Sequence, residues 1–170
     1  MFLKQILMAG CCSVLLIVPA LAQSTNLSVP DKEFLKMAAV ADMTEAHLGE
    51  MAERMAARSG IKDFGQELVK DHTRAYQELT ALDSKLGQAI PKSIDIRRDR
   101  AVQRLAELKG QRFDGQFLRD EVVDHERVLA AFKREARHGR DQDVKAYANQ
   151  ELPTMEQHLR EAEKLLKHRA

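Results

Sequence analysis

From residue 29 to residue 165 the apolar residues recur at steps of three and four, and no stretch alternates with a period of two. Side chains spaced in this way share one face of an α-helix, so the core must be built from amphipathic helices rather than from sheet. The first stripe, over residues 29–58, is Phe34, Ala38, Ala41, Leu48, Ala52 and Met55. The second, over 61–86, is Ile61, Gly65, Leu68, Ala75, Leu79, Leu82 and Leu86. A third begins at Asp114 as N-cap and carries Phe117, Val122, Leu129, Phe132 and Ala136, with Phe113 and Leu118 placed for a hydrophobic staple. The fourth, capped by Asp141, carries Val144, Tyr147 or Ala148, Met155, Ala162 and Leu165. Residues 97–109 read as a short extra helix between helices two and three, through Val102, Leu105 and Leu108. Ser28 to Asp31 fits a capping box, and Gly60, Gly87, Pro91, Gly110 and Gly139 fall between the stripes, where turns need them. The pattern predicts an all-α fold, an antiparallel four-helix bundle over residues 31–168.

The first residues read differently. Lys4 precedes an apolar run from Ile6 to Leu21 that closes on Ala20-Leu21-Ala22 before Gln23. This is the pattern of a secretory signal peptide over residues 1–22, followed by a linker over 23–30. A retained membrane anchor and lipid attachment at Cys11 compete with it. Pro19 and the Ala-x-Ala ending favour cleavage, and the apolar run continues well past Cys11. Cys11 and Cys12 both lie in this segment, so the remainder has no disulfide and depends on packing. The expected location is the periplasm. Lys and Arg number 27 against 26 Asp and Glu, and the two signs are interleaved. That balance gives no global attraction to nucleic acid or an anionic membrane, and neither is expected as a partner. No later segment is long and apolar enough to span a bilayer.

Each stripe carries one ionisable residue at a three- or four-residue step: Glu45, His72, His125 and His158. All four should point into the bundle. A buried polar group without a partner costs about 1–3 kcal/mol, so four of them must be paired, hydrated or bound to a ligand. Three imidazoles and a carboxylate suit zinc, iron or copper. Counting from the turns at about 1.5 Å per residue puts Glu45 level with His72 to roughly 3 Å, but His158 and His125 roughly 7 Å apart. Glu151, on the same face of helix four, is the substitute for His158, unless a kink at Pro153 brings that histidine into level. Glu121, one turn before His125, is placed to accept its second ring N–H. Asp71 and Asp124 lie about 100° round their helices and read as surface or helix-to-helix partners. Gly49 and Gly65 would leave room beside the site. Met37, Met51, Met55 and Met155 read as core filler rather than copper(I) ligands. The paired Glu-x-x-His motif of di-iron carboxylate bundles is absent, which argues against a dinuclear iron centre. No nucleophile–base arrangement or phosphate-cradling loop appears, so no reaction is assigned. The competing expectation is a structural or interaction protein of the cell envelope, stress-related in role, whose polar seam only fixes helix register.

Phe34-Leu35 with Ala38-Ala39 and Glu45, Asp71-His72-Thr73 with Glu78-Leu79, Phe113-Asp114, Asp124-His125, and Leu152-Pro153 with His158-Leu159 resemble a family of exported bacterial proteins. It is the domain of unknown function 4142, often labelled predicted outer membrane protein. The resemblance implies a ferritin-like four-helix fold over about residues 31–168 and no established activity. The chain shows no barrel pattern that would match the label.

Overall fold

The computed structural model describes residues 27–94 and 100–168. The segment read as a signal peptide, and the start of the expected short helix at residues 97–99, lie outside the described residues. Five helices follow in order: α1 (Val29–Met55), α2 (Ser59–Leu86), α3 (Arg100–Ala106), α4 (Gln111–His138) and α5 (Gln142–Lys167). No strand occurs among the described residues.

Local chemistry sets the helix ends. Ser28 caps α1 by accepting from Asp31 N, and Pro30 sits in the first turn, where a missing N–H costs nothing. Asp141 caps α5 by accepting from the N–H groups of Asp143 and Val144. Gly87 ends α2 in the left-handed conformation (φ 64°). Helix α5 runs on through Pro153.

Two expectations about caps are corrected. Asp114 does not cap α4, which begins earlier, at Gln111. From the first turn of α4 its carboxylate accepts instead from Ala57 N and Arg58 N, in the turn between α1 and α2. Asp31 does the same in reverse: from the first turn of α1 it accepts from Arg140 N and Asp141 N, in the turn between α4 and α5. Turn N–H groups taken from water need such an acceptor. Both aspartates begin the same string, Asp31-x-x-Phe34-Leu35 and Asp114-x-x-Phe117-Leu118. In each, the Phe and Leu are buried.

These reciprocal contacts define the topology. The start of α1 lies by the end of α4, and the start of α4 by the end of α1, so the two hairpins α1–α2 and α4–α5 stack antiparallel. Helix α1 contacts α2 and α4, and α5 contacts α4 and α2. The chain leaves α2 at one end of the bundle and enters α4 at the other, so the α2–α4 connection runs the length of the bundle. A single long crossover of this kind is found in ferritin-like bundles. Ile90 packs it into one apolar cluster, Val102 and Leu105 into the other, and Tyr76 OH donates to Pro91 O along the way.

The core is divided in two. Around Phe34, Leu35, Phe132, Val144 and Tyr147 lies one cluster, with Phe34 edge-on to Phe132 at 4.9 Å. Around Leu48, Ile61, Phe64, Phe113 and Phe117 lies the other. Each fully buried side chain of this size contributes about 1.5–3 kcal/mol. Gly49 and Gly65 bring α1 and α2 into backbone contact. A methyl group at Gly49 would lie 2.6 Å from Gly65 O, and one at Gly65 2.7 Å from Gly49 O. The room these glycines leave is therefore filled by the opposing helix, not kept beside the site as the sequence suggested.

Candidate metal centre

A layer of ionisable side chains separates the two clusters. Asp42 and Glu45 come from α1, His72 from α2, Glu121 and His125 from α4, and His158 from α5, and each is at most 5% exposed. The three histidine rings meet in the middle. Their centroids are 5.8 Å apart for His72–His125, 5.3 Å for His72–His158 and 5.4 Å for His125–His158. One ring nitrogen from each lies within 4.8 Å of the other two.

His158 is therefore level with the others, despite the axial offset counted from the turn. Side chains lean toward the N-terminus of their own helix. On antiparallel α4 and α5 this lean carries His125 away from the connecting turn and His158 toward it, which closes the gap. Glu151 is engaged elsewhere. Arg74 holds it through two parallel hydrogen bonds of 3.0 Å, joining α2 to α5, and Arg74 also donates to Glu78 at 2.7 Å.

Each ring has one nitrogen tied and one free. His72 Nδ1 lies 2.9 Å from Asp42 Oδ1, His125 Nδ1 3.0 Å from the carbonyl of Glu121, and His158 Nε2 3.2 Å from Asp71 Oδ2. His72 Nε2, His125 Nε2 and His158 Nδ1 are buried and without a hydrogen-bond partner. Metal-bound histidines are almost always held this way, with the second ring nitrogen donating to a carboxylate or carbonyl that fixes tautomer and orientation. The interstice bounded by Ala41, Glu45, His72, His125, Val128 and Met155 does not admit a water-sized sphere. Beside His72 and His125 there is thus no room for a bridging water.

Burial controls the protonation states. Desolvation, helped by the neighbouring histidines, pushes His72 and His158 down to about 3, so both rings are neutral at pH 7 and able to ligate. Desolvation pushes Asp42 up to about 8, against the opposing effects of Tyr147 and Arg74. Glu121 is likewise pushed up to about 8 by burial. Glu45 rises well above the ordinary carboxylate range through burial first and repulsion from Glu121 second. Burial raises all three acids because a buried negative charge needs a counter-charge. A cation in this layer would supply it.

The sequence picked out His72, His125 and His158 and the structure gathers them. Glu45 lines one interstice with His72 and His125. Glu45 packs with Glu121 and His125, their donor atoms all within 4.8 Å of one another. The carboxylate on His72 is Asp42, which the sequence reading missed. The signal was present: Leu35, Ala38, Asp42, Glu45, Gly49 and Ala52 form an unbroken three-four series, and choosing Ala41 for the stripe hid Asp42. Glu121 does serve His125, mainly through its backbone carbonyl, with its carboxylate 3.4 Å from Nδ1. Asp71 proves a helix-to-helix partner, and Asp124 pairs with Arg127 at the surface. Of the methionines, Met155 lines the interstice, while Met51 and Met55 pack in the cluster around Phe64. A larger, half-open cavity of about 760 Å³ lies at the α1–α2 turn, beside Arg58, Arg112 and Arg119. It contains none of the unpartnered buried groups.

Residues 17–165 match the model of the family described as Domain of unknown function (DUF4142). Comparison with curated proteins finds no match. Among solved structures, the fold is similar to the crystal structure of a DUF305 fragment from Deinococcus radiodurans. The TM-score is 0.72 at 16% identity, covering 83% of this chain and 97% of that one. At that identity the likeness concerns the fold. Among the described residues, no helix is long and apolar enough to cross a membrane.

Proposed function

We propose that this chain, which belongs to the DUF4142 family of domains of unknown function, is an exported periplasmic bundle that holds a transition-metal ion through His72, His125 and His158. One observation carries the reading. Three buried imidazole rings from three helices converge, and each has one nitrogen without a partner and the other anchored. Leaving three such nitrogens unsatisfied would cost roughly 1–3 kcal/mol each, and an ion removes that cost. Three imidazole nitrogens suit zinc, iron or copper, and a fourth position remains for Glu45 or an exogenous ligand. The chemistry supplied is Lewis acidity with zinc, or electron exchange with iron or copper. Asp42 and Asp71 would orient the rings and balance the charge.

The test is elemental analysis of untagged protein purified from the periplasm. Near-stoichiometric metal that is lost in His72→Ala and His125→Ala is expected. Trace metal that does not change in these variants would refute the reading. Recovery of the protein in the cytoplasm with residues 1–22 intact would refute export. The structural alternative, an envelope protein whose polar layer only fixes helix register, is favoured by the close Asp42–His72 and Asp71–His158 pairs, which partly satisfy the rings without metal. It requires a melting temperature that neither chelator nor metal moves, whereas a bound ion raises it by mass action.

A further inference from the structure

The three-histidine reading leaves two buried acids unexplained. Glu45 and Glu121 face each other from α1 and α4, and both are buried. Glu45 Oε2 and both carboxylate oxygens of Glu121 make no well-formed hydrogen bond; Glu121 Oε2 lies 3.4 Å from the already engaged Nδ1 of His125, and the two acids are close enough to share a proton. No Lys or Arg forms an ion pair with either acid among the described residues, whereas the buried Glu151, outside the layer, has Arg74. Two adjacent buried carboxyls repel when ionised and are poorly solvated. Natural cores keep such pairs where the acids share a proton or bind a cation.

Their placement selects the cation. Glu45, Glu121 and His125 offer donor atoms within 4.8 Å of one another, and so do His72, His125 and His158. The two groups meet at His125, whose Nε2 is unpartnered and whose Nδ1 is anchored beside Glu121, so the second position draws its donors from Glu45 and Glu121. Glu45 also lines the interstice with His72 and His125, so it stands between the two positions. We infer that Glu45 and Glu121 hold a second divalent cation beside the one bound by the histidines, which makes the centre dinuclear. The inference rests on the three-histidine reading, because His125 is common to both positions. Carboxylate oxygens suit manganese(II), imidazoles suit iron(II), and sets that mix the two hold iron(II), so iron(II) suits both halves. The sequence offers few carboxylates on the helix seams and lacks paired Glu-x-x-His motifs, which spoke against a dinuclear centre. The bundle supplies both donor types without them, through Glu121 and His125 one turn apart and Glu45 opposite.

The test is equilibrium dialysis of the full mature chain against iron(II) under anaerobic conditions, followed by elemental analysis. Two ions per chain are expected for the wild type and one for Glu45→Gln/Glu121→Gln. These substitutions keep shape and remove charge, and a melt followed by circular dichroism checks that the variant folds. The single variant Glu121→Gln provides a second measurement, in which the weaker of two binding steps is lost. One ion in both wild type and double variant would overturn the second position and leave the histidine site standing. One ion in the wild type and none in the double variant would overturn it too, because all five donors would then serve one ion. No iron in the wild type, with one zinc ion retained, would overturn the dinuclear iron assignment alone. No metal of any kind would refute both readings.

Discussion

Replacing Asp42 with Asn should move stability and metal affinity in opposite directions. In the folded protein Asp42 is held up to about 8, against an ordinary value of 3.8. At pH 7 the metal-free fold must therefore keep a proton that the unfolded chain has released. Each pH unit of that difference is worth about 1.4 kcal/mol, so the cost is on the order of a few kcal/mol. Asn carries no charge and removes it, though it buries an amide of its own. A net gain of about 1 kcal/mol, or about 2–4 °C in Tm, is the expected balance for a domain of this size. Metal binding should suffer. Asp42 Oδ1 is 2.9 Å from His72 Nδ1, and loss of such a carboxylate partner typically costs 10–100-fold in affinity, about 1.4–2.7 kcal/mol. Asn can also turn its amide toward Nδ1, which would favour the tautomer with a proton on the ligating Nε2. Competition against a chelator of known affinity measures the second effect, and thermal melts of metal-free protein at pH 7 the first. Unchanged affinity would refute the assigned role of Asp42. A joint fall in Tm and affinity would make Asp42 a plain structural residue.

The pH dependence of the metal-free protein follows from the same layer. Asp42 and Glu121 are raised to about 8, and Glu45 is raised well above its usual range, so each adds stability at low pH that disappears as pH rises through its folded value. His72 and His158, lowered to about 3, act in the opposite sense but only below about 6.5, where the unfolded histidines gain protons. Tm should therefore fall between pH 6.5 and 8.5, and Glu45→Gln/Glu121→Gln should flatten the decline. Gly65→Ala should destabilise by about 1–3 kcal/mol in a urea melt, because its methyl group would meet Gly49 O at 2.7 Å and Ala52 Cβ at 2.9 Å. An unchanged midpoint would mean that α1 and α2 separate at little cost. Arg74→Met leaves the fully buried Glu151 without its cation. A buried pair broken in this way loses about 3–5 kcal/mol; Arg74 is partly exposed and Glu151 can take up a proton, so about 1–3 kcal/mol is expected, increasing with pH.

Periodicity made the helices legible because burial of one face is a repeating demand, and a repeat survives local noise. The three histidines were legible for the same reason: each interrupts a stripe that the packing requires. What stayed hidden depended on contact between segments far apart in sequence. Asp114 looks like a helix cap because caps are local, yet its acceptor atoms serve a turn 56 and 57 residues earlier. Gly49 and Gly65 look like space for a ligand until the opposing backbone is seen to occupy it. Levels counted along the helix axes ignored the direction in which side chains lean, which is why His158 looked displaced and Glu151 looked like its replacement.

The stacking of the two hairpins also has a mechanical side. His72 is carried by the α1–α2 jaw, and His125 and His158 by the α4–α5 jaw, so an ion at their centre would grip both at mid-length. The jaws are latched at their ends by Asp31 and Asp114, each holding the turn of the opposite hairpin. Such an ion would leave when a latch gives or a jaw tilts. Its rate of exchange would then be governed by how often the hairpins part, rather than by the strength of three metal–nitrogen bonds. Loosening either aspartate latch, far from the ion, should hasten its release.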